Sequence, residues 1–474
     1  MSKKLWHKLS VALICLLVST FLLCACVAKP QQNSGGETEE TDTFTPAKDT
    51  AENSELAKRY AEYQENSTLA FVNNSPASPE SFEYEVTESG VKIIAYTGDE
   101  DIVVVPEKID SYAVSVIASG AFSDTGVRAV SIPDSVVSIE QGAFSDCDGL
   151  STLRLPFVGD GGESAYLGYV FGATEYAQNA VKVPASLDMV IVGRGDIGEN
   201  AFSGCKSLSA IILPDETESI ADFAFYECSD LVFLNMGDGV DSLGAYALGY
   251  CRSIFSLDLS GVREIAKGAL FECEGLNNVT LGGFGESEEN SFLGYIFGAD
   301  SPDYNDEFVP ASLRSVTLAD TCTSIPNRAF TSCKYITSIK LPETVERVGT
   351  RAFYACRSLL EISLDGVVTV GDDAFFGCDN LVTVELGETL TSLGMQAFYG
   401  CKALCEITLP QSLTAIAPST FYSCSSLVGV ELGGVKEIGK DAFGACDSLK
   451  GVKLDGITVA DGNQDLYIET QTEK

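Results

Sequence analysis

The side chains able to do chemistry in this chain are few in kind and regular in spacing. Sixteen cysteines run through 474 residues, against one histidine, His7, and one tryptophan, Trp6. Eleven cysteines, from Cys147 to Cys446, recur every 22 or 23 residues, apart from two gaps of 58 and 60. Thiolates bind zinc and act as nucleophiles, but zinc favours Cys-x-x-Cys pairs and a nucleophile wants a base beside it. A period of 22–23 residues supplies neither. Cys401 and Cys405 form only an isolated pair across a turn. Asp461-Gly462-Asn463-Gln464-Asp465 starts like a calcium loop, yet Leu466 stands where the loop needs Gly and Thr472 where it needs Glu. The glycines fall at turns rather than in a phosphate-binding loop. No cofactor or metal site is therefore expected. The formal charge of −38 repels phosphate backbones and argues against nucleic acid as a partner. A hydrophobic share of 45% is enough to build a large core.

The first residues read as an export device. Lys3, Lys4 and Lys8 precede Val11–Leu23, an apolar run too short to span a bilayer, which takes about 20 residues. The run ends in Leu23-Cys24-Ala25-Cys26. This resembles a bacterial lipobox, with an aliphatic residue at −3, a small one at −1 and then the cysteine that carries the lipid. Cys26 fits, whereas Cys24 does not, because Leu23 is too large for −1. The resemblance implies a signal peptide over 1–25, a lipid on Cys26, and attachment of the extracytoplasmic protein to the cell membrane. Cleavage would remove three lysines and no acid, so the charge deepens to −41. It would also remove His7 and Trp6, and with His7 every Ser-His-Asp, Cys-His or histidine–zinc arrangement. Residues 26–80 are polar and acidic, with Glu37, Glu39, Glu40 and Asp42 among threonines. They read as a disordered tether, extended by like charges. Only Ala51–Tyr63 has a composition suited to a short helix, and nothing there signals chemistry.

The elements that position the cysteines form one repeated unit. Ala-Phe or Ala-Leu pairs, with Thr420 in place of Ala before Phe421, end at Phe122, Phe144, Phe202, Phe225, Leu248, Leu270, Phe330, Phe353, Phe375, Phe398, Phe421 and Phe443. Cys follows three residues after all but the first, and Leu or Ile three residues later. The unit reads Ile-x-x-x-Ala-Phe-x-x-Cys-x-x-Leu-x-x-Ile-x-Leu-Pro. Leu-x-x-Ile-x-Leu ends in strand alternation, and Ala-Phe-x-x-Cys suits a tight turn with Phe and Cys inside. Such strands cannot bury a face alone, so the coils must stack. Stacked equivalents lie about 4.8 Å apart with parallel Cβ vectors, whereas a disulfide needs Cβ atoms near 3.8 Å and converging. A column of free, buried thiols is expected, acting as small hydrophobes. Before the array, Phe82, Tyr84 and Val86 alternate, Glu88-Ser89-Gly90 turns, and Val91, Ile93 and Ala95 alternate again. That is a hairpin capping the solenoid over 81–119. The array occupies 120–460, and 461–474 is a tail.

This frame resembles the leucine-rich repeat in its Treponema/BspA-like form, over about residues 120–454. The resemblance implies a β-rich solenoid of α/β type: a right-handed, curved parallel sheet of about twelve units. It also implies a bacterial surface protein that binds host matrix, host cells or other bacteria. The family has no catalytic residues, so none is carried over.

The two long gaps are themselves a repeat. Leu167-Gly168-Tyr169-Val170-Phe171-Gly172-Ala173 and Leu293-Gly294-Tyr295-Ile296-Phe297-Gly298-Ala299 are offset by 126, as are Val183–Leu187 and Val309–Leu313. Each gap is one enlarged unit. Its LGYxFGA core is expected to fold back on the solenoid, leaving the tips Gly159–Glu163 and Glu286–Asn290 as contact candidates. If Leu-x-x-Ile-x-Leu faces inward, the intervening positions line the concave sheet. The candidates for binding are Phe233, Asn235, Asp258, Lys340, Glu361, Glu385, Glu406 and Glu431, with Phe233 as the exposed aromatic. A monomer that binds a protein or glycan partner is expected. The alternatives are a spacer without a ligand, and a carboxylate-dependent hydrolase, for which no domain outside the repeats is long enough.

Overall fold

The computed structural model describes residues 51–66, 71, 74–284, 290–450, 452–454 and 456–463. The expected signal peptide, Cys26 and the residues beyond Asn463 lie outside them. So do the acids Glu37–Asp42 and most of the second tip, residues 285–289.

The repeats wind into a curved parallel β solenoid. Each coil gives one strand to the main sheet, which runs in segments of six, six and two strands. The first segment holds Ile102–Val104, Ala129–Ser131, Thr152–Leu155, Met189–Val192, Ala210–Ile212 and Phe233–Asn235. The second runs from Ser256–Leu259 to Thr383–Leu386, and the last pairs Glu406–Thr408 with Gly429–Glu431. Two-residue strands such as Ser324–Ile325 and Arg347–Val348 make a narrower parallel sheet in each coil's second straight stretch. Inward residues follow the expected alternation: Ile362 and Leu364 are buried in Glu361–Leu364, while Glu361 is exposed.

The turn of each coil packs its phenylalanine on the next. Phe330, Phe353, Phe375, Phe398, Phe421 and Phe443 stack with ring centroids 4.9–5.5 Å apart and planes within 12°. Each offset stack adds roughly 0.5–1.5 kcal/mol beyond the burial of the rings. The same turn holds one left-handed residue two places after its Phe or Leu, such as Asp146 or Ser332, and another two places before it. The latter is Gly120 or Gly142 in early coils, but Phe223, Tyr246 and Arg351 in later ones. Stacking thus enforces a backbone that glycine adopts without strain.

Both ends of the column are closed. The hairpin Phe82–Thr87 and Gly90–Tyr96 is antiparallel, and its second strand joins Tyr112–Ile117 in parallel. Tyr96 lies over Phe122, 5.8 Å away, as the first rung of the aromatic column. At the other end Asn463 is buried, and its Oδ1 accepts the Phe443 amide at 2.9 Å. In earlier coils that amide bonds the Ala carbonyl of the next coil, as Phe421 does to Ala442. The side-chain amide stands where the next coil's Ala carbonyl stands elsewhere, so Asp461–Asn463 continues the solenoid's bonding pattern rather than belonging to a tail.

Candidate binding surface

The column of thiols lies under the turns. Cys147, Cys205, Cys228 and their eight successors are buried and form no disulfide. Nine of the eleven donate Sγ–H to the carbonyl of the Phe or Leu one coil earlier, at 3.0–3.3 Å. The other two, Cys205 and Cys333, each follow an enlarged coil. Burial pushes the Cys147 thiol up to about 11 and Cys273 to about 12. The thiols therefore stay protonated at neutral pH and remain donors. Those nine are more than space fillers: each ties its coil to the one before.

The enlarged coils keep the register. Phe144 donates its amide to Val170, and Leu167 to Ala201, so Val170-Phe171 stands where Ala-Phe stands elsewhere. Asn179 is fully buried; its Oδ1 accepts the Gly168 amide at 2.8 Å and its Nδ2 donates to the Ser203 carbonyl at 3.0 Å. Asn305 does the same with Gly294 and Thr331. Leu167, Phe171, Leu293 and Phe297 are buried, so the shared core folds back as expected. Tyr295 is buried, Tyr166 and Tyr169 are half-buried, and Tyr176 and Tyr304 are exposed.

The concave face has two halves of different character. Register pairs Met189 with Ala210 and Ala210 with Phe233, and Ile191 with Ile212. These outward positions hold polar residues elsewhere, such as Ser256 and Asp258 against Asn278 and Thr280. An apolar patch thus spans three adjacent strands, with Thr152 and Arg154 on the strand before it and Ser256 and Asp258 on the strand after it. The helix Ala51–Asn66 lies on the patch. Leu56, Tyr60 and Tyr63 share one helix face by their i, i+4 and i+3 spacing. Leu56 is buried, and Tyr60 and Tyr63 pack against Met189, Ala210 and Phe233. The Tyr60 ring lies 5.5 Å from Phe233 and 6.2 Å from Phe255. At the polar edge, the Tyr63 hydroxyl donates to the Asp188 carboxylate at 2.7 Å, and Arg59 donates to Ser209 Oγ at 3.1 Å. Burial, more than any other influence, raises the Tyr63 phenol above its ordinary value.

Two expectations need correction here. Phe233 is not an exposed aromatic: it is 7% exposed, because Tyr60 covers it. The stretch read as a disordered tether contains a 16-residue helix held on the solenoid, longer than the short helix its composition allowed. Asn235 and Asp258 are exposed and border a cleft of about 530 Å³ between the helix and the first break in the sheet, with Gln64 and Asp238. Each bends back to its own loop: Asn235 Oδ1 accepts the Gly237 amide at 3.0 Å, and Asp258 Oδ1 that of Ser260 at 2.9 Å.

The C-terminal half is open and acidic. Lys340, Glu361, Glu385, Glu406 and Glu431 are all exposed. Ser338, Lys340, Glu361, Ser363, Thr383 and Glu385 line a groove of about 380 Å³, and Glu385, Glu388, Glu406 and Thr408 line a neighbouring one of about 300 Å³. Glu361 pairs in register with Thr383, Ser363 with Glu385, and Thr408 with Glu431. The structure therefore brings five of the eight candidates onto one open surface and sets Phe233, Asn235 and Asp258 at the covered half. Among the described residues no cluster of three or more His, Cys, Asp or Glu could hold a metal ion, and no helix is long and apolar enough to cross a membrane.

The BspA type leucine rich repeat region matches the chain in six copies, over residues 109–164, 195–295, 304–366 and 361–464. The chain belongs to this family. The longest unmatched stretch within the BspA-type repeats, 165–194, lies within the first enlarged coil and contains its LGYVFGA core. Among solved structures the chain is similar to a leucine-rich repeat protein from Bacteroides ovatus, at 20% identity, covering 82% of this chain and all of that one, with a TM-score of 0.35. It is also similar to a leucine rich cell surface protein from Faecalibacterium prausnitzii, at 20% identity, 85% and 100% coverage, and a TM-score of 0.28. The pneumococcal vaccine antigen PcpA is similar at 17% identity, with 82% and 94% coverage and a TM-score of 0.26. A comparison with curated proteins gives no match.

Proposed function

We propose that this protein is a lipid-anchored, cell-surface interaction protein of the BspA-type family. In this reading Cys26 carries the lipid and the solenoid binds a protein partner through the open half of its concave sheet. The observation that carries the reading is the staggered row of exposed carboxylates, Glu361, Glu385, Glu406 and Glu431, across four successive coils, alternating between two outward strand positions. At about 4.8 Å per coil, four such coils span roughly 15 Å. A rigid staggered row of like charge fits a partner with a matching row of Lys or Arg, and such association is fast and sensitive to salt. The presence of Lys340 at the edge of the groove gives the surface a polarity that fixes the partner's direction. Adhesion to host matrix, host cells or other bacteria is the use that fits a tethered surface of this kind. The experiment is adherence of cells with and without the protein to a panel of matrix proteins, mucin and bacterial partners. Changing the four glutamates to glutamine is expected to weaken capture by about tenfold at low salt and much less at high salt. Equal adherence with and without the protein across the panel would leave the spacer role. Loss of binding to mucin alone would point to a glycan ligand instead.

A further inference from the structure

The apolar patch on the covered half of the concave face is not required by the solenoid. Its inner side is already satisfied: Val190, Ile211 and Leu234 point to the core and are buried there. The outward residues Met189, Ile191, Ala210, Ile212 and Phe233 add nothing to that core, and they form a separate cluster with Tyr60 and Tyr63. A solvent-facing sheet position filled by Met, Ile and Phe costs solubility unless something covers it. What covers it comes from the segment that should extend the stalk.

We propose that this patch is a helix-docking site, and that its reversible occupant is the chain's own helix Ala51–Asn66. The patch recognises an amphipathic helix presenting two Tyr along one face and an Arg beside them. The chemistry is specific at the edges. Asp188 accepts from the Tyr63 hydroxyl and Ser209 from Arg59, and these two acceptors immediately precede the strands that carry Met189 and Ala210. The helix has the traits of a guest rather than of a structural element. It gives two half-buried tyrosines to the contact, while Glu55, Lys58, Ala61, Glu62, Gln64 and Glu65 are exposed. Helices of this length are marginal alone in water, so helix formation and docking are one event. Docked, sixteen residues span about 24 Å. Released and extended, the same residues reach up to about 55 Å. The site therefore sets the length of the stalk and screens three adjacent strands of the concave face. It does not depend on what the acidic half binds.

Hydrogen exchange on the full chain tests this without any partner. A reversible occupant predicts that amides of 56–63 exchange at least about a hundredfold faster than those of the strands 210–212 and 233–235, but slower than in a synthetic peptide of residues 51–66. A Tyr60→Ala/Tyr63→Ala chain is expected to lose the helix protection and to keep that of the strands in the later coils. Equal protection of helix and strands, or collapse of strand protection in the variant, would make the helix a fixed part of the fold and overturn the proposal. Helix amides exchanging as in the free peptide would overturn it from the other side. The failure of adherence in the glutamate variants concerns a different surface and leaves this measurement untouched.

Discussion

Substitution at Cys378 separates a thiol that only fills space from one that bonds. Its side chain is fully buried, and Sγ donates to the Phe353 carbonyl at 3.1 Å. That carbonyl also accepts the Cys356 amide at 3.2 Å. In Cys378→Ala the loss of one buried sulfur costs about 1 kcal/mol, as for a deleted methylene with partial collapse. The lost S–H···O contact adds about 0.5–1 kcal/mol. No orphan penalty follows, because the carbonyl keeps its amide donor. The expected total is about 1.5–2.5 kcal/mol. In Cys378→Ser the hydroxyl faces the same acceptor, so its cost should equal or fall below that of alanine. If the thiol were only a hydrophobe, serine would bury an unpaired hydroxyl and cost about 1–3 kcal/mol more than alanine. Repeat arrays can open in pieces, so the assay is hydrogen exchange under mild urea in reducing buffer. The reporters are the amides of Phe353, Phe375 and Phe398, with the Phe202–Cys228 coils as reference. Serine exceeding alanine by more than about 1 kcal/mol would refute the bonded ladder.

Two further outcomes follow from the same structure. Alkylation of the native protein at pH 8 should modify Cys405, which is exposed, and spare the repeat thiols, whose burial keeps them protonated; mass mapping of labelled peptides checks this, and rapid labelling of Cys251 or Cys356 would contradict it. Raising the pH should release the helix. The Tyr63 phenol sits above its unfolded value of about 10 when docked, so its contribution is complete below that pH and is lost as the pH rises through the docked value. Helix exchange that is unchanged between pH 8 and 11, after correction for intrinsic rates, would show that Tyr63 does not hold it.

The fold was legible because the core writes itself into the period. Phe, Cys, Leu and Ile occur at fixed offsets, and each offset is one place in a coil. The enlarged coils were legible for the same reason, since LGYxFGA repeats at 126. What escaped were contacts between residues whose spacing carries no local signal. The thiol of Cys378 reaches a carbonyl 25 residues back, which is a matter of register rather than of composition. Asn463 looked like part of a calcium loop because its partner, the Phe443 amide, is one coil away. The helix was misjudged through Phe233. Considered alone, that residue was one aromatic among polar neighbours. Aligned by register with Met189, Ile191, Ala210 and Ile212 it is part of a patch, but the 58-residue gap concealed which positions of the enlarged coil face outward.

The enlarged coils also bear on where a partner can sit. An insertion that adapts to a ligand should be loosely held, yet both are pinned by a buried amide. Asn179 and Asn305 each bond a glycine amide in their own coil and a carbonyl of the next, at 2.8–3.0 Å. A Cβ on Gly168 or Gly294 would lie 2.5 Å from that Oδ1, so the residue beside the amide must be glycine. Removing such a buried network partner leaves unpaired groups at about 1–3 kcal/mol each, which makes the arrangement rigid. The LGYxFGA segments thus complete the column at the two places where Ala-Phe is absent. The first tip turns on itself as well, with Asp160 Oδ1 accepting the amides of Gly162 and Ser164. With the helix over three strands of the concave sheet and the insertions held by their own amides, the acidic stretch from Ser338 to Glu431 is free to meet a partner without rearrangement.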